Sequence, residues 1–347
     1  MTAPQSATGP KFDVLTVAKP MALIAPRLQA AFNLHLHDPA SSPAAAARIQ
    51  GIWAGGDSRV SAELINSLPA LKMIAVMGVG YDGIDVAAAK ARGVMVSHTP
   101  DVLNDDVADL ALGLMLSAAR QLPAADRFVR AGEWPSAPMP LARKMSGARL
   151  GIVGMGRIGQ AIAQRAAAFN MSIAYTARSA KPGLPWAYWP SAEALAEHSD
   201  FLVLITPGGA GTRKLIDAKV LAALGRNSPL GGILVNVARG SVVDESALIE
   251  ALEQGVIAGA GLDVFENEPQ VPERLRALSH VVLTPHVGSA TGQTRQAMAD
   301  LAFDNLQRVL GGQSARTPVP ELRQTQGLVP TVHPGKSGFD SSSIIIR

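Results

Sequence analysis

The chain has 347 residues, 48% of them hydrophobic and 17% charged, which is typical of a globular protein long enough for two domains. Its net charge is +3 and it has no cysteine, which argues against a nucleic-acid partner and excludes disulfides, thiolate catalysis and cysteine-based metal sites. Without a signal pattern or an apolar run of membrane-spanning length, we expect a soluble, cytoplasmic protein with no membrane partner.

Residues 12–99 alternate short β-rich runs with alanine-rich helical runs, which predicts a first parallel α/β unit. One of its strands ends near Met77 and is followed by the glycine turn GVGYDGID at 78–85. The backbone N–H groups of such a turn can hold a carboxylate, and a plain strand-to-helix connection is the alternative interpretation.

A long helix is predicted from about residue 102 to 122, with Asp105 and Asp106 near its positive end. Its apolar residues cover more than one side, so we expect it to be buried between layers, with one face against a partner subunit. The irregular stretch 132–145 follows and contains Trp134. A loop of this length is typical of a functional segment or an interface arm.

Residues 148–179 contain three glycines that match G-x-G-x-x-G within a strand-helix-strand unit. Glycines let a pyrophosphate approach the backbone N–H groups at the positive end of a helix, so this unit predicts a dinucleotide site. A glycine turn that serves only close packing is the alternative. The residues expected to contact the cofactor here are Gly154, Met155, Gly156, Arg157, Ile158 and Gly159.

The position that holds an acidic residue in NAD sites is occupied by Arg178 and Ser179, and no acid occurs between Met171 and Glu193. A guanidinium and a hydroxyl can bind a 2′-phosphate, which a carboxylate would repel. The sequence therefore predicts NADP(H) as the preferred cofactor, with NAD(H) possible. Alternatively, Arg178 and the nearby Lys181 are solvated loop charges.

The second unit is predicted to hold six strands, at 150–153, 173–175, 201–206, 231–238, 259–265 and 281–286, in a doubly wound sheet of order 3-2-1-4-5-6. Its last three strands would then lie side by side and bring Arg239, Glu268 and His286 to one edge. Each has a structural alternative: Arg239 could cap a helix, Glu268 could be a solvated turn acid, and His286 could be a buried imidazole.

These three groups suit hydride transfer between a nicotinamide and a 2-oxo acid. His286 would donate the proton in reduction and accept it in oxidation, Glu268 would stabilise the imidazolium, and Arg239 would hold the substrate carboxylate. No residue set requires a metal. The remaining histidines are expected to be structural or solvent-facing, at positions 35, 37, 98, 198, 280 and 333.

The motifs GVGYDGID, VADLALGLMLSAAR, GMGRIG, NVARG, GLDVFENEP and TPHVGSAT together resemble the D-isomer-specific 2-hydroxyacid dehydrogenase family over about residues 10 to 320. TPDVLNDDVADLALGL and ARSAKP are most similar to its NADPH-preferring hydroxypyruvate/glyoxylate reductases. The resemblance implies a homodimer joined through the long helix and the Trp134 arm. It also implies that Arg239, Glu268 and His286 are the catalytic trio.

The same resemblance implies further contacts. Val79 and Gly80 would bind the substrate carboxylate together with Arg239, and Asp263 would contact the nicotinamide amide. Other cofactor contacts are expected at Thr206, Pro207, Thr212, Val237, Ala238 and Gly288. The loop 206–212, TPGGAGT, is richer in glycine than the family pattern.

The resemblance also implies a Rossmann cofactor domain and a discontinuous, flavodoxin-like α/β substrate domain. We expect residues 1–99 and 289–322 to form the substrate domain, residues 100–288 the dinucleotide domain with the dimerisation segment 102–145, and residues 323–347 a tail. A helix at about 291–310 would return the chain to the first domain.

The expected activity is NADPH-dependent reduction of hydroxypyruvate to D-glycerate and of glyoxylate to glycolate. A bulkier 2-oxo acid, such as an aryl pyruvate or 2-ketogluconate, is the alternative substrate, which the pocket around Trp53, Val79, Trp134 and Met139 would decide. A dinucleotide-sensing, corepressor-like binding protein is the alternative from another class.

Overall fold

A computed structural model describes residues 11–36 and 43–323 of the chain. His37, His333 and the predicted tail beyond Arg323 lie outside the described residues. Within the described ranges, no helix is long and apolar enough to span a bilayer.

The described residues form two sheets flanked by helices. The strands are β1 (Asp13–Thr16), β2 (Asn33–His35), β3 (Ile49–Gly55), β4 (Met73–Met77), β5 (Met95–Ser97), β6 (Arg149–Val153), β7 (Ser172–Thr176), β8 (Ala187–Tyr188), β9 (Phe201–Leu204), β10 (Ile233–Asn236), β11 (Gly259–Leu262) and β12 (Val281–Leu283). The helices are α1 (Ala25–Ala31), α2 (Pro43–Ala46), α3 (Ala62–Ser67), α4 (Val86–Ala91), α5 (Asn104–Arg120), α6 (Leu122–Arg130), α7 (Arg157–Ala167), α8 (Ala192–Glu197), α9 (Ala218–Ala223), α10 (Glu245–Glu253), α11 (Glu273–Arg276) and α12 (Gly292–Leu310).

The first sheet has the strand order β2-β1-β3-β4-β5, and all its paired strands are parallel. This is the order 2-1-3-4-5 of flavodoxin-like folds. The strands β3 and β4 are apolar along nearly their whole length because helices cover both faces of a parallel sheet. The predicted α/β fold class is confirmed.

The second sheet has the order β12-β11-β10-β9-β6-β7-β8 and is also parallel. The prediction of six strands was wrong, because β8 was missed; two residues are too few to give a readable pattern. The strand β9 is therefore the fourth of this sheet and lies directly beside β6, not at the far edge. The expected adjacency of the last three strands is unaffected, since β8 extends the opposite side.

Two long helices connect the sheets to each other. The helix α5 packs against α7 and against the strands β10 and β11, and eight of its residues are buried. The helix α12 follows the second sheet in the chain but packs against β3 and β4 of the first. The exact bounds of the two domains stay a prediction.

Asp200 forms ion pairs with Arg143 and Arg149 where the strands β6 and β9 begin. Asp200, immediately before β9, accepts hydrogen bonds from the backbone N–H of Arg149 at 2.9 Å and from its guanidinium at 2.9 and 3.1 Å. Arg143 lies 3.0 Å from the same carboxylate. Burial raises the pKa of Asp200, but the hydrogen bonds from Arg149 and Ser228 outweigh it and lower the pKa to about 2.

Replacement of this acid tests how much the pair stabilises the fold. Because the folded-state pKa is depressed, the ionised Asp200 stabilises the chain fully above its unfolded pKa and ceases to do so as pH falls through about 2. We expect Asp200→Asn to lower the free energy of unfolding by about 3 kcal/mol at neutral pH. In urea titrations, the difference between the two proteins should shrink from about pH 4 downwards. Equal stability at neutral pH would contradict this role.

Candidate active site

Three neighbouring strands of the second sheet end level with one another. Asn236 of β10 pairs with Leu262 of β11, and Leu262 pairs with Leu283 of β12. The segments that follow these strands carry Arg239, Glu268 and His286 respectively. In parallel sheets the carboxyl ends of the strands are where ligands bind, and the three side chains leave the sheet at that edge.

His286 and Glu268 form a hydrogen-bonded pair. His286 Nδ1 lies 2.7 Å from Glu268 Oε2, and the other carboxylate oxygen accepts the N–H of Phe265 at 3.0 Å. Burial raises the pKa of Glu268, but these two hydrogen bonds, with the charges of His286 and Arg239, outweigh it and hold the pKa below its ordinary value. Glu268 is therefore a carboxylate at neutral pH and accepts a hydrogen bond from Nδ1 of His286.

The backbone of His286 is held in an unusual conformation by Asp263. His286 has a φ of 52°, in the left-handed region that residues other than glycine rarely adopt. Asp263 is 2% exposed and accepts hydrogen bonds from the Thr284 hydroxyl at 2.6 Å and from the N–H groups of Val287 at 2.8 Å and Gly288 at 2.9 Å. The backbone carbonyl of Asp263 also accepts the N–H of His286 at 2.8 Å. Asp263 thus fixes the segment that presents the imidazole.

Arg239 is positioned by its own turn and by the glycine turn that follows β4 of the first sheet. The Asn236 side chain bridges the turn, donating to the Arg239 carbonyl at 3.0 Å and accepting the N–H of Ala238 at 3.0 Å. The guanidinium donates from Nε to Asp82 at 3.2 Å and from Nη1 to the Ala238 carbonyl at 2.8 Å. A Cβ on Gly80 would overlap Nη2, so the third nitrogen lies against the glycine turn that follows β4. The structure thereby brings Arg239 and Gly80 together.

The glycine-rich loop 206–212 lies beside the same guanidinium. A Cβ on Gly208 would lie 2.8 Å from the Asp82 carboxylate and 3.0 Å from Cγ of Arg239. The Thr212 hydroxyl donates to the Pro207 carbonyl at 2.7 Å and closes the loop. Of the three glycines of this loop, Gly208 leaves the space in which Asp82 meets Arg239.

The three fingerprint glycines differ in what surrounds them. Gly154 has a φ of 108°, and its Cβ would lie 2.8 Å from the Ile205 carbonyl; a Cβ on Gly159 would overlap the Gly154 carbonyl. Both are therefore required by packing. Gly156 has nothing within 4 Å of its Cβ position and precedes α7, whose first turn no side chain caps. Open space beside free helix N–H groups fits a pyrophosphate.

The other predicted cofactor residues occupy different environments. Arg178, Ser179 and Lys181 are exposed after β7, and no carboxylate of the described residues pairs with either cation. Arg157 lies 3.0 Å from Asp101. Ile158 lies in the first turn of α7, and the remaining ones follow β6, β9, β10 or β12, where the strands end: Met155, Thr206, Val237, Ala238 and Gly288.

A comparison with known protein families identifies the family to which the chain belongs. Residues 112–288 match the family described as "D-isomer specific 2-hydroxyacid dehydrogenase, NAD binding domain". The chain belongs to this family.

Several well-covered relatives agree with this dehydrogenase assignment. The chain is 46% identical over 271 residues to glyoxylate/hydroxypyruvate reductase A of Arabidopsis thaliana, covering 78% of this chain and 85% of that protein. It is 43% identical over 310 residues to 2-ketogluconate reductase of Gluconobacter oxydans, covering 89% and 99%. A crystal structure of an NADPH-dependent glyoxylate/hydroxypyruvate reductase from Sinorhizobium meliloti, in complex with NADP and malonate, matches with a TM-score of 0.85 and 44% identity over 90% of this chain and 98% of that one.

Some features of the dehydrogenase site were not predicted from the sequence. Asp82 lies within the motif GVGYDGID, and its position in that glycine turn is the sequence signal for its contact with Arg239. Trp53 is 2% exposed and lies in the core, whereas Trp134 is 67% exposed, so these two expected pocket residues occupy different environments. Among the described residues, no group of three or more histidines and acids is arranged to hold a metal ion.

Proposed function

We propose that this dehydrogenase is an NADPH-dependent reductase of small 2-oxo acids, which converts hydroxypyruvate to D-glycerate and glyoxylate to glycolate. The observation that carries the proposal is the hydrogen-bonded His286–Glu268 pair, 2.7 Å apart, at the sheet edge that also presents Arg239. The names of the Arabidopsis and Sinorhizobium relatives support the substrate class and the cofactor.

The proposed reduction uses both nitrogens of His286. Because Nδ1 is engaged by Glu268, Nε2 is the nitrogen left to donate a proton to the carbonyl oxygen of the substrate. When bound, the reduced nicotinamide supplies the hydride to the carbonyl carbon. Glu268 stays ionised and stabilises the imidazolium until the proton is transferred, after which His286 is neutral.

Arg239 would bind the substrate carboxylate in this reaction. Its Nε and Nη1 are engaged by Asp82 and the Ala238 carbonyl, and Nη2 lies against Gly80. A carboxylate beside Nη2 could also accept the N–H groups of Val79 and Gly80. Two classes of donor would then hold one anion and orient the adjacent carbonyl toward His286.

Initial rates of NADPH oxidation test the activity and the role of His286. We expect turnover of hydroxypyruvate and glyoxylate by the wild type and a loss of about 100-fold or more in His286→Ala, since a positioned proton donor contributes at least that much. His280→Ala is the control, because His280 precedes β12 at the opposite end of the sheet. Faster turnover of 2-ketogluconate than of both small acids would favour the alternative substrate that the Gluconobacter relative suggests. Tight NADPH binding without turnover of any 2-oxo acid would refute a reductase.

The cofactor preference is proposed to depend on Arg178 and Ser179. Both are exposed beyond β7, where the sequence supplies no acid for the ribose hydroxyls. We expect Arg178→Ala to raise the KM for NADPH about 10-fold or more, because a charge-assisted hydrogen bond to a phosphate is lost. The KM for NADH should stay nearly constant. A parallel rise for both cofactors, or a wild type that prefers NADH, would count against recognition of the 2′-phosphate by Arg178.

We also propose a homodimer joined through α5 and the arm 132–145. Four large apolar side chains in and next to this arm are strongly exposed in the single chain: Leu122 (50%), Val129 (55%), Trp134 (67%) and Leu141 (101%). Sedimentation should give twice the chain mass for the wild type and a weakened dimer for Leu141→Arg. Val256→Arg, at an exposed apolar residue outside the arm, should leave the mass unchanged. A monomeric wild type at micromolar concentration would exclude the dimer.

A further inference from the structure

The glycine turn that would bind the substrate carboxylate is anchored by a buried histidine that the proposed reaction does not use. His98 follows β5 and is 7% exposed. Its Nδ1 lies 3.0 Å from the carbonyl oxygen of Val79. A carbonyl can only accept a hydrogen bond, so Nδ1 carries the proton and donates it. The adjacent N–H of Thr99 donates to the Gly78 carbonyl at 2.8 Å, so two successive carbonyls of the turn are held from β5.

Fixing the Val79 carbonyl also fixes the N–H of Gly80. The two groups belong to one planar trans peptide, so they point in opposite directions. With the carbonyl turned toward His98, the Gly80 N–H points away from His98. Gly80 is the residue whose Cβ position is filled by the Arg239 guanidinium. Glycine at position 80 adapts to a rotated peptide at little cost, so the hydrogen bond from His98 restrains this peptide.

His98 is in turn held by the segment that follows α12. Its backbone N–H donates to the Thr317 carbonyl at 3.2 Å, and its carbonyl accepts the Thr317 hydroxyl at 2.6 Å. Asn305 of α12, which is fully buried, donates to Thr317 Oγ1 at 2.8 Å and accepts the N–H groups of Arg316 and Thr317 at 2.7 and 3.1 Å. A continuous set of hydrogen bonds therefore connects α12 to the turn.

The same segment contacts the turn at a second point. The Tyr81 hydroxyl donates to the Glu321 carboxylate at 3.1 Å, and the Tyr81 ring meets the His98 ring edge-on, with centroids 5.2 Å apart. Burial, with Glu321 beside it, raises the pKa of Tyr81 to about 12, so the hydroxyl stays protonated. Burial, with the charges of Arg323 and Arg157, lowers the pKa of His98 and outweighs the hydrogen bond to Val79 and the charge of Glu321, which raise it, so its imidazole is neutral at neutral pH.

We propose that His98 is a positioning residue for substrate binding, which orients the Val79–Gly80 peptide so that the Gly80 N–H faces the substrate carboxylate. This inference rests on the proposed function, because it assigns the turn to the 2-oxo acid. It differs from a purely structural role in one respect: the donor on Nδ1 matters, whereas the imidazole ring as such does not.

Two variants of equal shape separate these possibilities. The Nδ2 of asparagine branches from Cγ as Nδ1 of histidine does, whereas leucine has the same branching without a donor. We expect His98→Leu to raise the KM for hydroxypyruvate about 10-fold or more with little change in kcat, because ground-state and transition-state binding are lost together. His98→Asn should stay within about threefold of the wild type, and the KM for NADPH should be unchanged in both.

The affinity of the NADP complex for malonate, a small dicarboxylate, gives a readout that needs no turnover, and it should fall in His98→Leu alone.

A wild type without 2-oxo acid turnover would refute the proposed function. An active wild type with an unchanged KM in His98→Leu, or with equal defects in both variants, would overturn the inference alone. Should His98→Leu fail to fold, Thr317→Val removes the hydroxyl that holds the His98 carbonyl, and an unchanged KM in that variant would overturn it.

Discussion

The candidate active site depends on one buried carboxylate, Asp263, at the end of β11. Holding His286 in the left-handed region costs about 1 kcal/mol or more, so the segment would relax if nothing opposed it. Three hydrogen bonds to a buried anion, each contributing about 1.5–3 kcal/mol, exceed that cost. Asp263 therefore keeps the imidazole where Glu268 can reach it. The three hydrogen bonds leave part of the Asp263 carboxylate free to accept from a nicotinamide amide, since a carboxylate accepts about four hydrogen bonds.

The other half of the site is held by a different set of contacts. The glycine turn after β4 receives hydrogen bonds from His98 and Thr99, and α12 supports them through Thr317. The two halves meet where Asp82 of the turn accepts Nε of Arg239. Asp82 fixes the guanidinium and offsets part of its charge, while Nη2 stays directed at Gly80. A substrate anion, as proposed, would then meet a cation whose orientation is already set.

The sequence predicted the parts of the site that depend on strand order and failed where distant residues meet. Convergence of Arg239, Glu268 and His286 required only that three successive strands be adjacent, which holds although β8 was missed. The pairing of Asp82 with Arg239 joins residues 157 positions apart, and no pattern within either segment indicates it. His98 is predicted only as structural or solvent-facing, because Thr317, which contacts it, comes from the far end of the chain. The hydrophobic periodicity of a segment indicates which face of a helix or strand is buried. These contacts depend instead on how helices and strands from distant parts of the chain are placed relative to one another.

Glycine at three separate positions explains why Arg239 can occupy its place at all. Gly80 and Gly208 leave room for the guanidinium and its stem, and a Cβ at Gly240 would overlap the backbone of Phe265 in the loop that carries Glu268. The first two would meet side-chain atoms that can move, so alanine there would displace Arg239 or Asp82 without breaking the fold. At Gly240 the obstacle is backbone, so an added methyl must separate the Arg239 turn from the Glu268 loop. The Arg239 turn and the loop that carries Glu268 are therefore coupled through a contact that requires the absence of a side chain.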